Sequence, residues 1–228
     1  MTKRKNSPRS LSVRLKSARG RSVSSQRWLS RQLNDPYTQK AKTDGYRSRA
    51  AYKLIEIDNK FHLLKPGSHI IDLGATPGGW TQVSLERVGK KGKVFSLDIL
   101  PLSPCGEEIF ICGDFTNPLI LEQLKGKIEN SVHVVLSDMA ASSTGHSQTD
   151  HLRIMSLAEE AFLFAQEVLS SGGSFVAKVL RGGTEKELLT LLKQHFEKVI
   201  HYKPPASRSD SAEIYVIARG YRSAHIKR

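Results

Sequence analysis

A regular succession of short apolar runs and longer helical stretches constrains the fold of this chain more than any other feature. Seven runs typical of buried strands occur between residues 69 and 218, and stretches with helical periodicity lie between most of them. Alternation of this kind predicts a mostly parallel sheet with helices on both faces. The predicted strands are 69–73, 93–97, 109–112, 132–137, 174–179, 198–202 and 214–218, and the helices between them are 80–88, 119–127, 152–169 and 184–196.

The two ends of this pattern differ from its middle. Residues 203–211 join the last two predicted strands and contain Pro204 and Pro205 but no helical stretch, so the final strand should return antiparallel. Before the first strand, residues 28–43 have a mixed helical character, and residues 47–61 form a clearer helix that Ser48 can cap. With 228 residues, the chain can bury one substantial core.

Charged residues occupy the ends of three predicted strands. Asp138 and Lys178 lie at the carboxyl ends of two of them, and Glu213 directly precedes the last. Because burying an unpaired charge is costly, such residues usually pair with one another, face a cleft or take part in chemistry. In the predicted sheet all three lie at the edge where ligands of open α/β sheets bind, since an antiparallel last strand begins there. Lys53, beside the apolar stripe of the helix at 47–61, can either join them or extend to water.

A glycine-rich loop, D-L-G-A-T-P-G-G-W at residues 72–80, follows the first predicted strand and opens a helix. Glycines allow a tight turn and a close approach of the backbone to a ligand. The loop departs from the dinucleotide pattern G-x-G-x-x-G because Thr76 stands at the second glycine, and Pro77 lacks an N–H group that could face a pyrophosphate. The Walker pattern is also absent, so the loop favours a nucleoside ligand without phosphates.

Two aspartates at the ends of the next predicted strands support this interpretation. Asp98 stands where an acidic side chain binds ribose hydroxyls in doubly wound folds. Asp114 can accept a hydrogen bond from an adenine amino group, with Phe115 nearby. Either aspartate alone more often forms a turn or caps a helix, but the two in this order after the loop favour a nucleoside site.

The net charge of +13 is concentrated at the N-terminus. Residues 1–33 hold ten Lys or Arg and no Asp or Glu, which leaves 25 basic against 22 acidic residues in the rest of the chain. A segment this basic favours an arm that contacts the phosphates of a nucleic acid. A solvated tail and an organellar transit peptide are the alternatives.

Several classes of protein are disfavoured. The sequence has no apolar run of ~18 residues for a membrane span and no apolar segment near its N-terminus for a secretory signal. Cys105 and Cys112 lack metal-site spacing and are too few for a disulfide framework, so we expect buried or half-buried thiols in a reducing compartment. His146 and His151 match no ligand pattern, and the loop at residues 141–150, which contains His146 and directly precedes His151, is expected to line an entrance for RNA.

Six segments of the chain together resemble the FtsJ-type (RlmE) ribosomal RNA 2′-O-methyltransferases. The ordered set Lys53, Asp138, Lys178 and Glu213 looks like the K-D-K-E tetrad of that family. Two departures are visible: Thr76 replaces the usual second alanine of the glycine loop, and the basic N-terminal extension is longer than typical. The segments, which lie within residues 28–220, are 47–54, 72–80, 113–115, 137–140, 172–178 and 211–215.

The resemblance implies a Rossmann-like methyltransferase fold with a seven-stranded, mostly parallel sheet and S-adenosylmethionine as the cofactor. The implied reaction is 2′-O-methylation of a ribose, that of a uridine, in large-subunit ribosomal RNA, in support of ribosome assembly. No metal is implied. The implied catalytic residues are Lys178, Lys53, Asp138 and Glu213, and the implied cofactor-binding residues are Gly78, Trp80, Asp98, Asp114 and Asp138.

Lys178 is the residue that position and resemblance both favour as the base for the proton of the ribose hydroxyl. Only a neutral amine can take that proton. A charged Lys178 would instead orient the hydroxyl toward the methyl group, and an ion-pair network that merely closes the site is a further alternative. Asp138 is also expected near the sulfonium and amino groups of the cofactor.

The charge distribution and the resemblance together divide the chain into a disordered, RNA-contacting arm at residues 1–33, a methyltransferase domain at 34–222 and a short basic tail at 223–228. We expect a monomer that acts on ribosomal RNA within the large subunit, without a membrane or a metal, in the bacterial cytoplasm. The acid-free N-terminus makes a mitochondrial location the alternative. Two other classes remain open: a nicotinamide-dependent oxidoreductase, which NADH binding would reveal, and a non-catalytic RNA-binding or ribosome-assembly protein, which methyl incorporation into RNA would exclude.

Overall fold

The computed structural model describes residues 20, 22–141, 144–182 and 185–223, and these contain a seven-stranded sheet flanked by helices. The strands are β1 (His69–Leu73), β2 (Lys93–Asp98), β3 (Ile109–Cys112), β4 (Val132–Ser137), β5 (Leu169–Leu180), β6 (Phe196–Tyr202) and β7 (Glu213–Tyr221). The helices are α1 (Val23–Leu33), α2 (Pro36–Asp44), α3 (Ala50–Phe61), α4 (Gly79–Val88), α5 (Pro118–Lys127), α6 (Ser147–Val168) and α7 (Glu185–His195).

The strand order, β3-β2-β1-β4-β5-β7-β6, decides where a ligand can lie. β1 is parallel to both β2 and β4, and β3 and β5 continue the parallel pattern on either side. β7 is antiparallel to β5 and to β6. The chain turns back between β3 and β4, so β1 and β4 form the topological switch point at which doubly wound sheets bind ligands. The predicted mostly parallel sheet with an antiparallel last strand is confirmed.

Both faces of the sheet are apolar because helices cover both of them. Ile71 and Val135 belong to the core cluster under α5, α6 and α7, which includes Phe162. Ile70 and Val134, their neighbours along the two strands, belong to the second cluster under α3 and α4. Adjacent residues of one strand therefore serve opposite layers, as the two-residue period of a strand requires.

The strand predictions are confirmed, with one larger difference in length. β1, β3 and β4 have the predicted bounds, and β2, β6 and β7 extend the predicted runs by a few residues. β5 begins at Leu169 rather than at Ser174. Its first part passes through Gly172 and Gly173, which strand propensities disfavour and which an apolar pattern therefore does not detect.

The helices differ more from prediction at their N-terminal ends. α6 begins at Ser147, so residues 147–150 of the predicted loop are helical, while residues 142 and 143 of that loop lie outside the described residues. The predicted start of α7, residue 184, also lies outside them. The predicted cap at Ser48 is wrong. Arg49, rather than Ser48, is the N-cap residue of α3, and it makes no side-chain capping bond. The Ser48 side chain instead packs against Gly79 at the start of α4.

The segment predicted as a disordered arm, residues 1–33, is described only in its last part. Residues 23–33 form α1, whose first turn is capped by a hydrogen bond from the Ser25 N–H group to the Ser22 side chain. Disorder is therefore wrong for this part, because a capped turn and a helical continuation satisfy its backbone. Residues 1–19 and 21 lie outside the described residues. Within the described ranges, no helix is both long and apolar enough to cross a membrane.

Candidate active site

Four charged side chains meet at the carboxyl edge of the sheet, and we refer to Lys53, Asp138, Lys178 and Glu213 as the charged cluster. Lys178 Nζ lies 3.1 Å from Asp138 Oδ1. Lys53 Nζ lies 2.8 Å from Glu213 Oε1 and 4.0 Å from Asp138 Oδ2. The antiparallel register of β5 and β7 pairs Leu180 with Glu213, which brings the start of β7 beside the end of β5. The predicted convergence is confirmed, and the catalytic roles remain a prediction.

Lys178 keeps one bonding position for a substrate. Its side chain is 9% exposed, and its nitrogen donates to the Asp138 carbonyl at 2.6 Å and forms an ion pair with Asp138 Oδ1 at 3.1 Å. No third partner of this nitrogen occurs among the described residues. An amine carries three hydrogens when charged, and two hydrogens and a lone pair when neutral. With one hydrogen donated to the Asp138 carbonyl and the Asp138 carboxylate beside the nitrogen, the charged form keeps an N–H group and the neutral form can keep its lone pair for a further partner.

Lys53 is enclosed by acceptors from several elements. Its nitrogen donates to Glu213 Oε2 at 2.9 Å and to the Tyr215 hydroxyl at 3.1 Å. The side chain is 13% exposed, so it does not extend to water, which was one of the two possibilities that the sequence allowed. Because an ammonium group forms its strongest hydrogen bonds with carboxylates, Lys53 links Glu213 to the rest of the cluster.

Tyr215 is the member of this site that the sequence did not single out. The residue is fully buried, and its ring packs against the ring of Trp80 with 5.6 Å between the centroids. Its hydroxyl accepts from Lys53 at 3.1 Å and donates to Asp138 Oδ1 at 2.8 Å. The signal was available, because residues two apart on a strand share a face and Tyr215 therefore lies beside Glu213.

The surroundings of Asp138 favour its charged form, and those of Tyr215 favour its neutral form. Burial raises the pKa of Asp138, but Lys178, Lys53 and the Tyr215 hydroxyl outweigh it and hold that pKa below its ordinary value. Burial, together with the Asp138 and Glu213 carboxylates, raises the pKa of Tyr215 well above its ordinary value. Asp138 is therefore a carboxylate and Tyr215 a neutral hydroxyl over the physiological pH range.

The loop between β6 and β7, residues 203–212, is held so that it presents Glu213 to Lys53. The Ala206 N–H group donates to Glu56 Oε2 at 2.7 Å, and the Arg49 guanidinium donates to the Ala206 carbonyl. The Ser207 hydroxyl then donates to Glu213 Oε1 at 2.9 Å. Since Glu56 and Arg49 flank Lys53 along the chain at α3, the same helix positions both partners of the Lys53–Glu213 pair.

A cavity of about 640 Å³ opens beside Asp138, and we call it the first cavity. This volume lies within the range of small-molecule sites. A side chain at Gly74 would come within 2.9 Å of the Met139 backbone, so the glycine loop meets the segment after β4 with no room for a larger residue. The lining residues are Gly74, Thr76, 97–100, 113–116, 138–141, Arg153, Ser156, Leu157 and Glu160.

Asp98 and Asp114 line the first cavity and also hold the turns around it. Asp98 Oδ2 accepts from the Thr76 N–H group at 2.9 Å, and Oδ1 accepts from the Leu100 N–H group at 2.8 Å. Asp114 Oδ1 accepts from the N–H and hydroxyl groups of Thr116, which hold the pKa of Asp114 below its ordinary value. From the sequence, these aspartates could either form turns or face a ligand site. In the structure they hold turns and also line the first cavity.

Gly78 and Trp80 do not line the first cavity, although the resemblance implied that they bind the cofactor. The Trp80 side chain is 3% exposed, and its Nε1 donates to the Ala50 carbonyl at 2.8 Å, which joins α4 to α3. Gly78 is the N-cap residue of α4 with φ 110°, and a side chain there would meet Cys105 Sγ at 2.6 Å. Only the main-chain groups of these two residues remain for a ligand.

A second cavity, of about 410 Å³, adjoins the other side of the cluster. Lys53 and Glu213 line it, whereas Asp138 lines the first cavity. The charged cluster therefore borders two cavities, one of which is rich in arginine. The lining residues of the second cavity are Arg31, Gln32, Arg49, Ala50, Lys53, Arg208, Asp210, Ser211 and Glu213.

The cysteines lie outside the charged cluster. Both are free thiols: Cys105 is half-buried as expected, and Cys112 is exposed, which the prediction of buried or half-buried thiols did not include. Burial raises the pKa of Cys105 to about 11, so this thiol stays protonated near neutral pH. Within the described part of the chain, no three His, Cys, Asp or Glu side chains form a group that could hold a metal ion.

Comparisons with known proteins agree on one family. The family described as FtsJ-like methyltransferase matches residues 46–221. A protein of Parvibaculum lavamentivorans named Ribosomal RNA large subunit methyltransferase E is 56% identical over 224 residues, which cover 94% of this chain and 88% of that protein. A protein of the same name from Gluconobacter oxydans is 54% identical over 214 residues, which cover 94% of this chain and 79% of that protein.

A solved structure is also similar to this chain. A chain from Plasmodium falciparum, described as a ribosomal RNA methyltransferase, is similar with a TM-score of 0.70 and 33% sequence identity, over 77% of this chain and 98% of that chain. The family match includes all seven strands and every member of the charged cluster. This protein therefore belongs to the FtsJ-like methyltransferase family.

Proposed function

We propose that this chain transfers a methyl group from S-adenosylmethionine to the 2′-hydroxyl group of a ribose, that of a uridine, in large-subunit ribosomal RNA. The observation that carries the proposal is the environment of Lys178. Its nitrogen is held by Asp138 at two points and keeps one bonding position, which a base or an orienting group for the hydroxyl needs. Bacterial relatives named Ribosomal RNA large subunit methyltransferase E support large-subunit ribosomal RNA as the substrate. A role in ribosome assembly and a cytoplasmic location are part of the proposal.

The first cavity fits S-adenosylmethionine in size and in the chemistry of its walls. When bound, this cofactor supplies an activated methyl group on a sulfonium centre. Carboxylate oxygens can accept further hydrogen bonds, so Asp98 can bind the ribose hydroxyls and Asp114 the adenine amino group. Asp138, a carboxylate, favours the positive sulfonium and amino groups. The main-chain N–H groups of the first turn of α4, after Gly78 and including that of Trp80, lack helical partners and can bind the cofactor.

Alignment of the reacting groups supplies much of the rate of an in-line methyl transfer. Lys178 contributes a nitrogen that Asp138 holds through a hydrogen bond to its carbonyl and an ion pair with its carboxylate. A neutral Lys178 removes the hydroxyl proton through its lone pair, and a charged Lys178 turns the hydroxyl oxygen toward the methyl group. Lys53, itself held by Glu213, supports the Asp138 carboxylate from its Oδ2 side.

The second cavity is suited to the RNA strand that carries the reacting ribose. Guanidinium groups bind phosphates well, and Arg31, Arg49 and Arg208 line this cavity beside Lys53. The basic segment 1–33 would extend the contact along RNA phosphates without selecting the nucleotide. Removal of residues 1–21, which leaves α1 intact, should reduce RNA affinity and flatten its dependence on salt concentration. An unchanged salt slope would make this segment a bystander or a targeting sequence.

Methyl incorporation tests the proposal. Large ribosomal subunits and free ribosomal RNA from a strain that lacks the gene are each incubated with the protein and labelled S-adenosylmethionine, with Lys178→Ala as the control. Resistance of the modified position to alkaline cleavage identifies a 2′-O-methyl group and its nucleotide. Label on a base would contradict the 2′-O assignment. Binding without incorporation would favour the alternative, a non-catalytic RNA-binding or ribosome-assembly protein.

A further inference from the structure

Tyr215 connects Lys53 to Asp138 through a single hydroxyl group. Its oxygen lies 3.1 Å from Lys53 Nζ and 2.8 Å from Asp138 Oδ1. An ammonium group can only donate, so the hydroxyl oxygen accepts from Lys53, and its hydrogen is donated to Asp138. The fully buried ring, packed against Trp80, keeps this hydroxyl in one place. The direction of both hydrogen bonds is therefore determined.

We propose that Tyr215 is a positioning residue for methyl transfer: its hydroxyl group holds the Asp138 carboxylate in the orientation in which Asp138 binds Lys178. This inference rests on the function proposed above and deepens it. Asp138 Oδ1 accepts from Tyr215 at 2.8 Å and forms an ion pair with Lys178 Nζ at 3.1 Å. Because both groups meet the same oxygen, the hydrogen bond from Tyr215 takes part of the negative charge that would otherwise attract the Lys178 ammonium group.

Charged groups from several elements surround this hydroxyl, and their balance decides the effect of its loss. Lys53 comes from α3, Asp138 follows β4, Lys178 comes from β5 and Glu213 begins β7. The Asp138 charge in turn raises the pKa of Asp72, near the end of β1. Without the hydroxyl, the two lysines remain as the charged partners of Asp138, which then attracts them more strongly. The pH of half-maximal methyl transfer should then move upward.

The test compares Tyr215→Phe with a matched control on the same strand. Tyr215→Phe removes the hydroxyl and keeps the ring. Tyr221→Phe removes another buried hydroxyl, which donates to the Gln166 carbonyl at 3.0 Å and lies away from the charged cluster. For the parent and both variants, kcat and KM for RNA and for S-adenosylmethionine are measured as functions of pH, and crystal structures of the full-length proteins are determined.

For Tyr215→Phe we expect kcat to fall about tenfold, with KM values within about twofold of the parent's. We also expect the pH of half-maximal rate to move upward, while Tyr221→Phe retains the parent values. Any other combination overturns the proposal, including equal losses in both variants, which would indicate a purely structural role. If the parent transfers no methyl group to RNA, the proposed function fails and the crystal structures decide. Asp138 turned away from Lys178 in Tyr215→Phe then supports the positioning role, and an unchanged Asp138 refutes it.

Discussion

Asp98 and Asp138 stand at the ends of β2 and β4, the two strands that flank β1, yet their carboxylates are held in different ways. Asp98 accepts from the main-chain N–H groups of Thr76 and Leu100. The Asp138 carboxylate accepts from the side chain of Tyr215, which is 77 residues away, and forms an ion pair with that of Lys178, which is 40 residues away. The wall of the first cavity is thus built by main-chain groups of its turns, and the charged cluster by side chains from separate elements.

This difference determines how the two regions should respond to substitution. When a carboxylate that is held by main-chain groups is removed, every buried side chain keeps its partner. In the charged cluster, removal of one charge leaves another buried without compensation. We therefore expect large and strongly coupled effects in the cluster, and smaller, nearly additive effects in the cavity wall.

The largest expected effect is that of Lys178→Ala. Methyl transfer should fall by ~10²-fold or more, the scale of a lost general base, while the affinity for S-adenosylmethionine changes little because Lys178 does not line the first cavity. Initial rates and calorimetric titration measure the two quantities. Comparable losses of both would remove the distinction between the two regions.

Lys178→Arg distinguishes two possible roles of the same residue, proton removal and orientation of the hydroxyl. Arginine keeps the positive charge and does not release a proton in proteins. Near-normal turnover of this variant would exclude proton removal by Lys178 and favour orientation of the hydroxyl. A loss equal to that of Lys178→Ala fits the base, with altered side-chain geometry as the competing cause.

The next effect concerns Asp72, which lies between the two regions. Burial, assisted by the charges of Asp138 and Asp98, raises the pKa of Asp72 from 3.8 to about 7, although the Thr81 hydroxyl acts in the opposite direction. The folded protein therefore binds this proton more tightly than the unfolded chain. The contribution of this proton on Asp72 to the stability of the fold is fully present below about pH 4 and is lost as the pH rises toward about 7.

Asp72→Asn should remove this dependence, because an amide oxygen can still accept from Thr81 and does not titrate. As the pH rises from acidic to slightly alkaline values, the unfolding free energy of the variant should increase by about 2–4 kcal/mol relative to that of the parent. Urea denaturation across this pH range measures the gain. Parallel stability curves for the two proteins would show that Asp72 does not titrate in this window.

A third prediction compares a cluster pair with a surface pair. Double-mutant cycles of Lys53→Met with Glu213→Gln should give a coupling free energy of about 1–3 kcal/mol. The matched control is Lys93–Glu129, also 2.8 Å apart but with side chains 41% and 72% exposed, for which a clearly smaller coupling is expected because solvent screens the pair. Urea denaturation provides both values. Equal coupling in the two pairs would mean that burial does not strengthen the Lys53–Glu213 pair.

The smallest effects are expected in the cavity wall. Asp98→Ala and Asp114→Ala should each weaken the binding of S-adenosylmethionine by about 1–2 kcal/mol, the scale of a lost hydrogen-bond partner. Their effects should be nearly additive, because the two carboxylates bind separate turns. Calorimetric titration of the single and double variants tests this. Unchanged affinity in both single variants would remove these residues from the cofactor site.

Much of the fold and the location of the site could be predicted from local patterns. The bounds of β1, β3 and β4 follow from apolar runs, and the loop with two prolines before β7 indicated its antiparallel return. Asp138, Lys178 and Glu213 could be assigned to one edge because parallel strands end there and an antiparallel strand begins there. These properties depend on short-range periodicity and on chain direction, which the order of residues contains.

Only the tertiary structure decided which charges pair and which side chains reach a cavity. Lys53 meets Glu213 across 160 residues of chain, and Tyr215 joins Lys53 to Asp138. The Trp80 indole lies in the core rather than at the first cavity. Each of these contacts depends on how α3 packs on the sheet and on the register of β5 with β7. Packing and register are set by the whole core, since a shift of one residue would turn every side chain of a strand to the other face.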